Sequence, residues 1–271
     1  MNEQNFEYLK DNIKYLGFGE KQNEALEHHL KEGQQSFRLH FNTEISQKPF
    51  EARLQFRKSD NSDMYFLNSF EAALQKNNGQ RVEQAFYLNK GKGVTAKEAY
   101  NLLEGRSVHK ELTGKDGQSY KAWIQIDFDK KDKNNNHEIR QFHENYGYDL
   151  KASLSKLAIT ELDGGEKEKN LLHSLQKGNL QSVSIEKDGM VSKMFVEANP
   201  QFKSVNLYDA KLQRVPKENM ELYLNKEQSA GKAIGKDQKQ DIKQETKNKK
   251  DQKQEIPPTK KARSQKKGMS A

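Results

Sequence analysis

The chain has no cysteine, a single tryptophan and only five prolines in 271 residues. Without cysteine it can form no disulfide and has no thiolate nucleophile, and a zinc site would need histidines and carboxylates. The lack of disulfides favours a reducing compartment. No stretch approaches the ~20 apolar residues of a membrane-spanning helix, and the N-terminus has no apolar run of signal-peptide length. We therefore expect a cytoplasmic protein without a membrane segment.

Positive charge is concentrated at the C-terminal end of the chain. Residues 226–271 hold 14 Lys or Arg against six Asp or Glu, a net charge of +8, whereas residues 1–225 hold 33 of each sign. The same C-terminal segment has no Phe, Tyr or Trp. It buries too little apolar surface to offset an ordering cost of roughly 1–2 kcal/mol per residue. We therefore expect a neutral folded body followed by a disordered basic tail, which suggests an anionic partner.

Hydrophobic spacing predicts several helices in the body. The first of them places four apolar side chains on one face: Phe6, Leu9, Ile13 and Leu16. Gly17 follows where a C-terminal cap belongs. Thr95 and Glu98 have the spacing of a capping box, which predicts a helix over 96–104 with Gly105 as its stop. Further helices are predicted around 26–30, 149–157 and 166–176.

Alternating apolar and polar residues predict antiparallel strands in the rest of the body. The alternation covers 36–41, 50–56, 64–70, 107–112, 120–128, 182–186 and 193–197, and one more strand is expected after the polar loop KKDKNNNH. Two of these strands supply the predicted core residues Phe50, Leu54, Tyr120, Ile124 and Ile126. We predict an α+β fold of two small helix-plus-antiparallel-sheet units, residues 1–93 and 94–225, followed by the tail, residues 226–271.

Two strands share a sequence pattern. EARLQF (51–56) and KAWIQI (121–126) both have Ala and Gln at matching positions, and an aromatic residue precedes each. One interpretation is a duplicated helix-and-sheet unit. The other is that these are two ordinary amphipathic strands, since six alternating residues agree easily by chance.

Five longer segments carry a family resemblance: NLLEGRSVHKEL, YKAWIQIDF, QFHENYGYDL, KGNLQSVSIEKDG and FVEANPQFKSVNLYD. In these segments the chain resembles an uncharacterised family of bacterial proteins, a domain of unknown function associated with gut anaerobes and their conjugative or other mobile elements. The N-terminal part, from MNEQNFEYLKDNIKYLGFGE to FRKSDNSDMYFLNSFEAAL, resembles the N-terminal region of the same family. The resemblance implies a bacterial, element-borne protein and supplies no catalytic residues.

The sequence contains no complete motif for a reaction centre or a metal site. Asp132, Asn134 and Asn136 have the spacing of an EF-hand loop. However, His137 stands where that loop needs Gly, and His143 stands where it needs a bidentate Glu. These two histidines are ~20 Å apart along an extended strand, too far to share one ion. Glycine-rich phosphate cradles and G-x-S-x-G are also absent, so we expect no enzyme activity, metal or cofactor.

The tail ends in a basic block that can neutralise phosphates without a fixed geometry. Pro257 and Pro258 keep the approach to it extended. The block itself supplies five cations: Lys260, Lys261, Arg263, Lys266 and Lys267. In the body, Trp123 lies on the polar-patterned face of its strand, where an exposed ring can stack on nucleic-acid bases. The alternative is that Trp123 lies under a packed helix.

These patterns favour a non-enzymatic, nucleic-acid-associated accessory protein that binds the phosphate backbone through its basic tail. The family resemblance implies that it belongs to a mobile element. Binding is expected to be weak and non-specific, with help from Trp123. The alternative is a protein–protein adaptor whose body binds an unidentified partner protein while the tail only adds solubility. Binding that responds to polyanions in general favours the nucleic-acid function. Binding to one specific protein favours the adaptor.

Overall fold

The structure is a computed structural model that describes residues 1–89, 92–114, 116–187 and 189–225. The described residues form helices and antiparallel sheets, so the predicted α+β class is confirmed. The predicted disorder of residues 226–271 lies outside the described residues. None of the helices in the described part combines the length and the hydropathy that a bilayer-spanning helix requires.

Two helices precede the first sheet and agree with the predicted periodicity. Helix α1 spans Glu3–Tyr15 and α2 spans Asn23–Glu32. Gly17 and Gly33 follow them with φ angles of 87° and 69°, a conformation that favours glycine. The apolar faces of both helices are buried, at Leu9, Ile13, Leu16, Leu26 and Leu30.

The first sheet is an antiparallel meander of four strands in the order β1-β2-β3-β4. The strands span Ser36–Ile45, Lys48–Lys58, Tyr65–Gln75 and Arg81–Tyr87. The third strand continues five residues beyond its predicted end, and the fourth was not predicted. Its inward residues are Val82, Gln84 and Phe86. A buried glutamine interrupts the apolar alternation on which the strand prediction depended.

A second sheet, in the order β5-β6-β7, follows helix α3 (Ala96–Leu103). Its strands span Val108–Thr113, Ser119–Lys131 and His137–His143. The predicted capping box of α3 is confirmed. The Thr95 Oγ1 accepts a hydrogen bond from the Glu98 N–H at 3.3 Å, and the Thr95 N–H donates to Glu98 Oε2 at 2.9 Å.

The third sheet has the order β10-β9-β8 and follows two helices. Helices α4 and α5 span Leu150–Leu154 and Glu166–Gln176, and α5 has the predicted bounds. The strands β8, β9 and β10 span Gln181–Lys187, Met190–Asn199 and Ser204–Tyr208. Short 3-10 helices occur at Glu144–Tyr146, Pro200–Phe202 and Lys217–Tyr223. The strand β10 was not predicted.

Buried side chains form two hydrophobic clusters that meet at β6. The first contains residues of α1, α2, α3 and the first sheet, together with Ile124 and Ile126 of β6. The second contains Trp123 of the same strand and buried residues of α4, α5 and the third sheet. Strand β6 therefore carries core residues on both faces. Since α3 belongs to the first cluster, the hydrophobic clusters do not divide at residue 93, and the predicted domain boundary there stays a prediction.

Two of the side-chain predictions need correction. The predicted core position of Tyr120 is wrong, because its side chain is only half-buried and its hydroxyl donates to Gln141 Oε1 at 3.0 Å. Of the two interpretations of Trp123, the exposed stacking ring is wrong and the packed ring is right, because only 6% of the residue is exposed. The reason is that the second hydrophobic cluster packs against the face of β6 on which Trp123 lies. The polar residues beside Trp123 on that face had led to the prediction that it is exposed to solvent. The other four predicted core residues are buried: Phe50, Leu54, Ile124 and Ile126.

Candidate functional site

The residues predicted to contact nucleic acid are not brought together by the described part of the chain. Lys260, Lys261, Arg263, Lys266 and Lys267 lie outside it. The Trp123 ring packs against the rings of His109 and Tyr148, with centroid distances of 5.2 and 5.3 Å. A base needs a free aromatic face on which to stack. Because these contacts bury Trp123, it does not offer the exposed platform that the sequence suggested.

Two side-chain oxygens of the loop with calcium-like spacing accept hydrogen bonds from backbone N–H groups. Asp132 Oδ1 accepts from the N–H groups of Asn134 and Asn136, at 2.8 and 3.0 Å. Asn136 Oδ1 in turn accepts from the Ala85 N–H, at 3.0 Å. Among the described residues, no group of three or more potential metal-ligating side chains is close enough together to hold an ion. The loop instead covers the outer edge of β4.

A groove of about 620 Å³ lies beside β5. Its walls come from several helices and from strands of the first and second sheets. Tyr15 comes from the last residue of α1, Tyr87 from the end of β4, and His173 from α5. The segment 109–113 of β5 runs along the groove.

Among the described strands, β5 lies at the edge of its sheet, because the strand order gives it one neighbour, β6. The Gly114 N–H donates to the carbonyl of Gln118, its opposite residue, at 2.8 Å. In an antiparallel pair, bonded and non-bonded residues alternate. The N–H and C=O groups of His109, Glu111 and Thr113 therefore point away from β6. No further strand of the described chain pairs with them.

Two tyrosines at this groove are unusually exposed. Tyr15 is 74% exposed and Tyr87 is 71% exposed. Neither side chain makes a hydrogen bond or a ring contact with another described residue. Tyrosine combines an apolar ring with a polar tip and suits a surface that is covered on binding. The groove thus offers aromatic contact area next to open backbone groups.

The charged groups of the groove divide into a paired set and an unpaired set. Lys110 Nζ lies 2.7 Å from Glu98 Oε2, and both side chains are largely buried, so this pair is part of the groove wall. Lys92, Lys177 and Glu111 are exposed and form no ion pair with another described residue. The unpaired set therefore carries two positive charges and one negative charge.

Burial lowers the pKa of the His109 imidazole below its usual value of 6.5, and the nearby Lys121 lowers it further. The ring of His109 lies against Trp123, so the second hydrophobic cluster holds this side chain in place. The residue contributes a fixed polar ring to the groove.

The sequence predicted β5 as a strand but not that it lies at an edge. Edge position depends on which strands pair, and strand alternation alone does not determine pairing. Tyr15 lies outside the apolar face of α1, and this position agrees with its exposure. Tyr87 belongs to the strand that the alternation missed.

Comparisons with family models, with curated proteins and with solved structures found no match to this chain. The resemblance to a bacterial family of mobile elements therefore stays a prediction.

Proposed function

We propose that the protein is a non-enzymatic accessory protein, of a mobile element, that binds nucleic acid through its basic tail. The observation that supports this proposal is the distribution of charge. The last 46 residues carry a net charge of +8, whereas residues 1–225 sum to zero. A polycation attached to a neutral body brings the body to a polyanion without altering its fold. The proposal places the protein in the cytoplasm, in keeping with a chain that lacks cysteine.

The binding that we propose is weak and has little sequence preference, because contacts to phosphates carry no base information directly. The terminal block has five cations: Lys260, Lys261, Arg263, Lys266 and Lys267. If all five engage duplex phosphates, the log–log slope of affinity against salt is about −4.5, and fewer contacts give a shallower slope. Trp123 has no part in this proposal, since its ring is buried.

The test compares the full chain with two variants of equal charge. In one, all five cations of the terminal block are replaced by Gln. In the matched control, five upstream cations are replaced by Gln instead: Lys226, Lys232, Lys236, Lys239 and Lys243. We expect salt titrations with duplex and single-stranded oligonucleotides to show the larger loss of affinity and the shallower slope for the first variant. Equal losses in both variants would remove the special role of the terminal block. Absence of binding by the full chain at low salt would end the nucleic-acid proposal.

The second candidate function is a protein–protein adaptor, and a specific observation favours it. The N–H and C=O groups of His109, Glu111 and Thr113 point away from β6, along a groove that also carries two exposed tyrosines. In this case the tail only adds solubility. If the protein is an adaptor, loss of the terminal cations leaves partner binding unchanged. If polyanions of any kind compete with the bound ligand, the first candidate function is supported.

A further inference from the structure

We propose that the groove beside β5 binds an extended peptide with acidic side chains, which adds a strand to the second sheet. This is a function of the body and goes beyond nucleic-acid binding by the tail. In strand addition, main-chain hydrogen bonds supply affinity and alternate side chains supply specificity. The peptide is a segment of another protein.

The open edge has the length and polarity that strand addition requires. At about 3.3 Å per residue, the five residues 109–113 extend over roughly 16 Å, enough for a peptide of about five residues. His109, Glu111 and Thr113 each present an N–H donor and a C=O acceptor on that side, as the alternation from Gly114 shows. In an extended peptide, every second residue presents a C=O and an N–H group to the same side, and these groups match the outward N–H and C=O groups of β5. Tyr15 and Tyr87 lie along the same groove, where they can cover peptide side chains.

The charges of the groove select among peptides. Lys92 and Lys177 are exposed cations at its walls, without an ion pair to another described residue. Acidic side chains of a bound peptide meet these two ammonium groups. Rim charges of this kind contribute mainly to selectivity and association rate. Among the described residues of the groove, Glu111 is the one unpaired anion, and it disfavours a second acidic group at its own position.

The same features disfavour a nucleic-acid strand in this groove. Three outward carbonyl oxygens and the Glu111 carboxylate present negative charge to any phosphate placed along the edge. Among the described residues of the groove, two unpaired lysines, Lys92 and Lys177, oppose them. A peptide uses the carbonyl groups as acceptors, whereas a phosphate has no donor for them.

Pairing of β5 with the β5 of a second copy is also disfavoured. The outward residues 109, 111 and 113 are centred on Glu111, so a two-fold antiparallel pair places Glu111 directly opposite its own copy. Like charges at directly opposite positions are destabilising. The proposal therefore concerns a peptide of another protein.

The experiment selects ligands for the full chain from a displayed library of random twelve-residue peptides. We expect the selected peptides to alternate β-branched and acidic residues. Their affinity is then compared between the Glu111→Pro variant and the Glu111→Ala control. Proline removes the outward N–H, whereas alanine keeps it, and loss of one or two backbone hydrogen bonds weakens binding about tenfold. The alanine variant is expected to bind acidic peptides at least as well as the natural chain.

The proline substitution is designed to leave the fold intact. The Glu111 N–H points away from β6, and edge strands tolerate proline at such positions. Thermal unfolding of each variant verifies this, and Thr113→Pro serves as the second variant because its N–H points the same way. Hydrogen exchange of the natural chain provides a readout without substitution: the selected peptides are expected to slow exchange at 109, 111 and 113.

Three outcomes would overturn the proposal. The first is that no peptide is enriched on the full chain. The second is that enriched peptides bind both proline variants as tightly as the alanine control and leave the exchange of 109–113 unchanged. The third is that the Lys92→Gln and Lys177→Gln double variant selects the same acidic peptides with the same affinity. If oligothymidylate displaces the peptides from residues 109–113, the groove is assigned to nucleic acid instead. Peptide-independent dimers that protect the same residues would assign it to a second copy.

Discussion

Gln84 and His137 are joined by two hydrogen bonds that imitate a strand pair. The side-chain Oε1 of Gln84 accepts from the His137 N–H at 2.9 Å, and its Nε2 donates to the His137 carbonyl at 3.2 Å. Gln84 is buried on β4 of the first sheet, whereas His137 begins β7 of the second. One amide side chain thus satisfies both backbone groups of a residue in another sheet. The two sheets are held together by polar contacts in addition to the shared hydrophobic cluster.

Replacing Gln84 by Ala is expected to lower the free energy of unfolding by about 1–3 kcal/mol, because the partly buried N–H and C=O groups of His137 lose their partners. Urea unfolding measures the loss. The matched control is Gln213→Ala, since Gln213 is exposed and its side chain makes no hydrogen bond with a described residue. Equal stabilities of the two variants would show that water replaces the Gln84 amide without cost.

The register of β6 is tested by substitutions at two adjacent residues. Ile124 is 3% exposed and belongs to the first hydrophobic cluster, so Ile124→Ala is expected to cost about 2–5 kcal/mol. Gln125 is half-buried, and its Nε2 donates to the Gly105 carbonyl at 2.8 Å. Gln125→Ala therefore costs about 1 kcal/mol, the contribution of one hydrogen bond. Chemical unfolding of both variants in parallel gives the comparison, and a larger loss at Gln125 would contradict this register.

The parts of this fold that sequence predicts are those set by local interactions. The capping box of Thr95 and Glu98 and the periodicity of α5 depend on residues within a few positions of each other, and both are found. The burial of Trp123 and the open edge of β5 depend on which elements pack against the second sheet. Neighbours distant in sequence decide both, so alternation within one strand assigns Trp123 to the wrong environment. The candidate groove was missed for the same reason.

Burial of Trp123 gives a prediction about both stability and nucleic-acid binding. Trp123→Ala removes a large ring from the second hydrophobic cluster and is expected to cost about 3–5 kcal/mol. The affinity of the folded variant for single-stranded oligonucleotides is expected to equal that of the natural chain. Thermal unfolding and binding titrations below the variant's midpoint measure the two effects. A variant of unchanged stability with a selective loss for single strands would restore Trp123 as a stacking platform.

Acid is expected to weaken the fold through the ion pair of Asp127 and Arg140. Asp127 is 4% exposed, and its Oδ2 accepts from the Nε and Nη2 of Arg140 at 2.8 and 2.7 Å. The hydrogen bonds from Arg140 hold the pKa of Asp127 below its usual value of 3.8. A carboxyl with a lowered pKa in the folded state stabilises the protein above the pKa of the unfolded chain. That contribution is lost as the pH falls from about 3.8 through the lower folded-state pKa.

The measurement is urea unfolding of the natural chain and of Asp127→Asn between pH 7 and pH 3. At pH 7 the variant is expected to be less stable, because the asparagine gives Arg140 no charged partner. The difference in stability is expected to narrow below pH 4, since protonated Asp127 also loses its charge. Asp129→Asn is the control, because that carboxyl is exposed and forms no ion pair within the described residues. The difference in unfolding free energy between the natural chain and Asp127→Asn could instead stay the same at every pH. That result would show that the pair contributes through packing and neutral hydrogen bonds, and that acid weakens the fold at other groups.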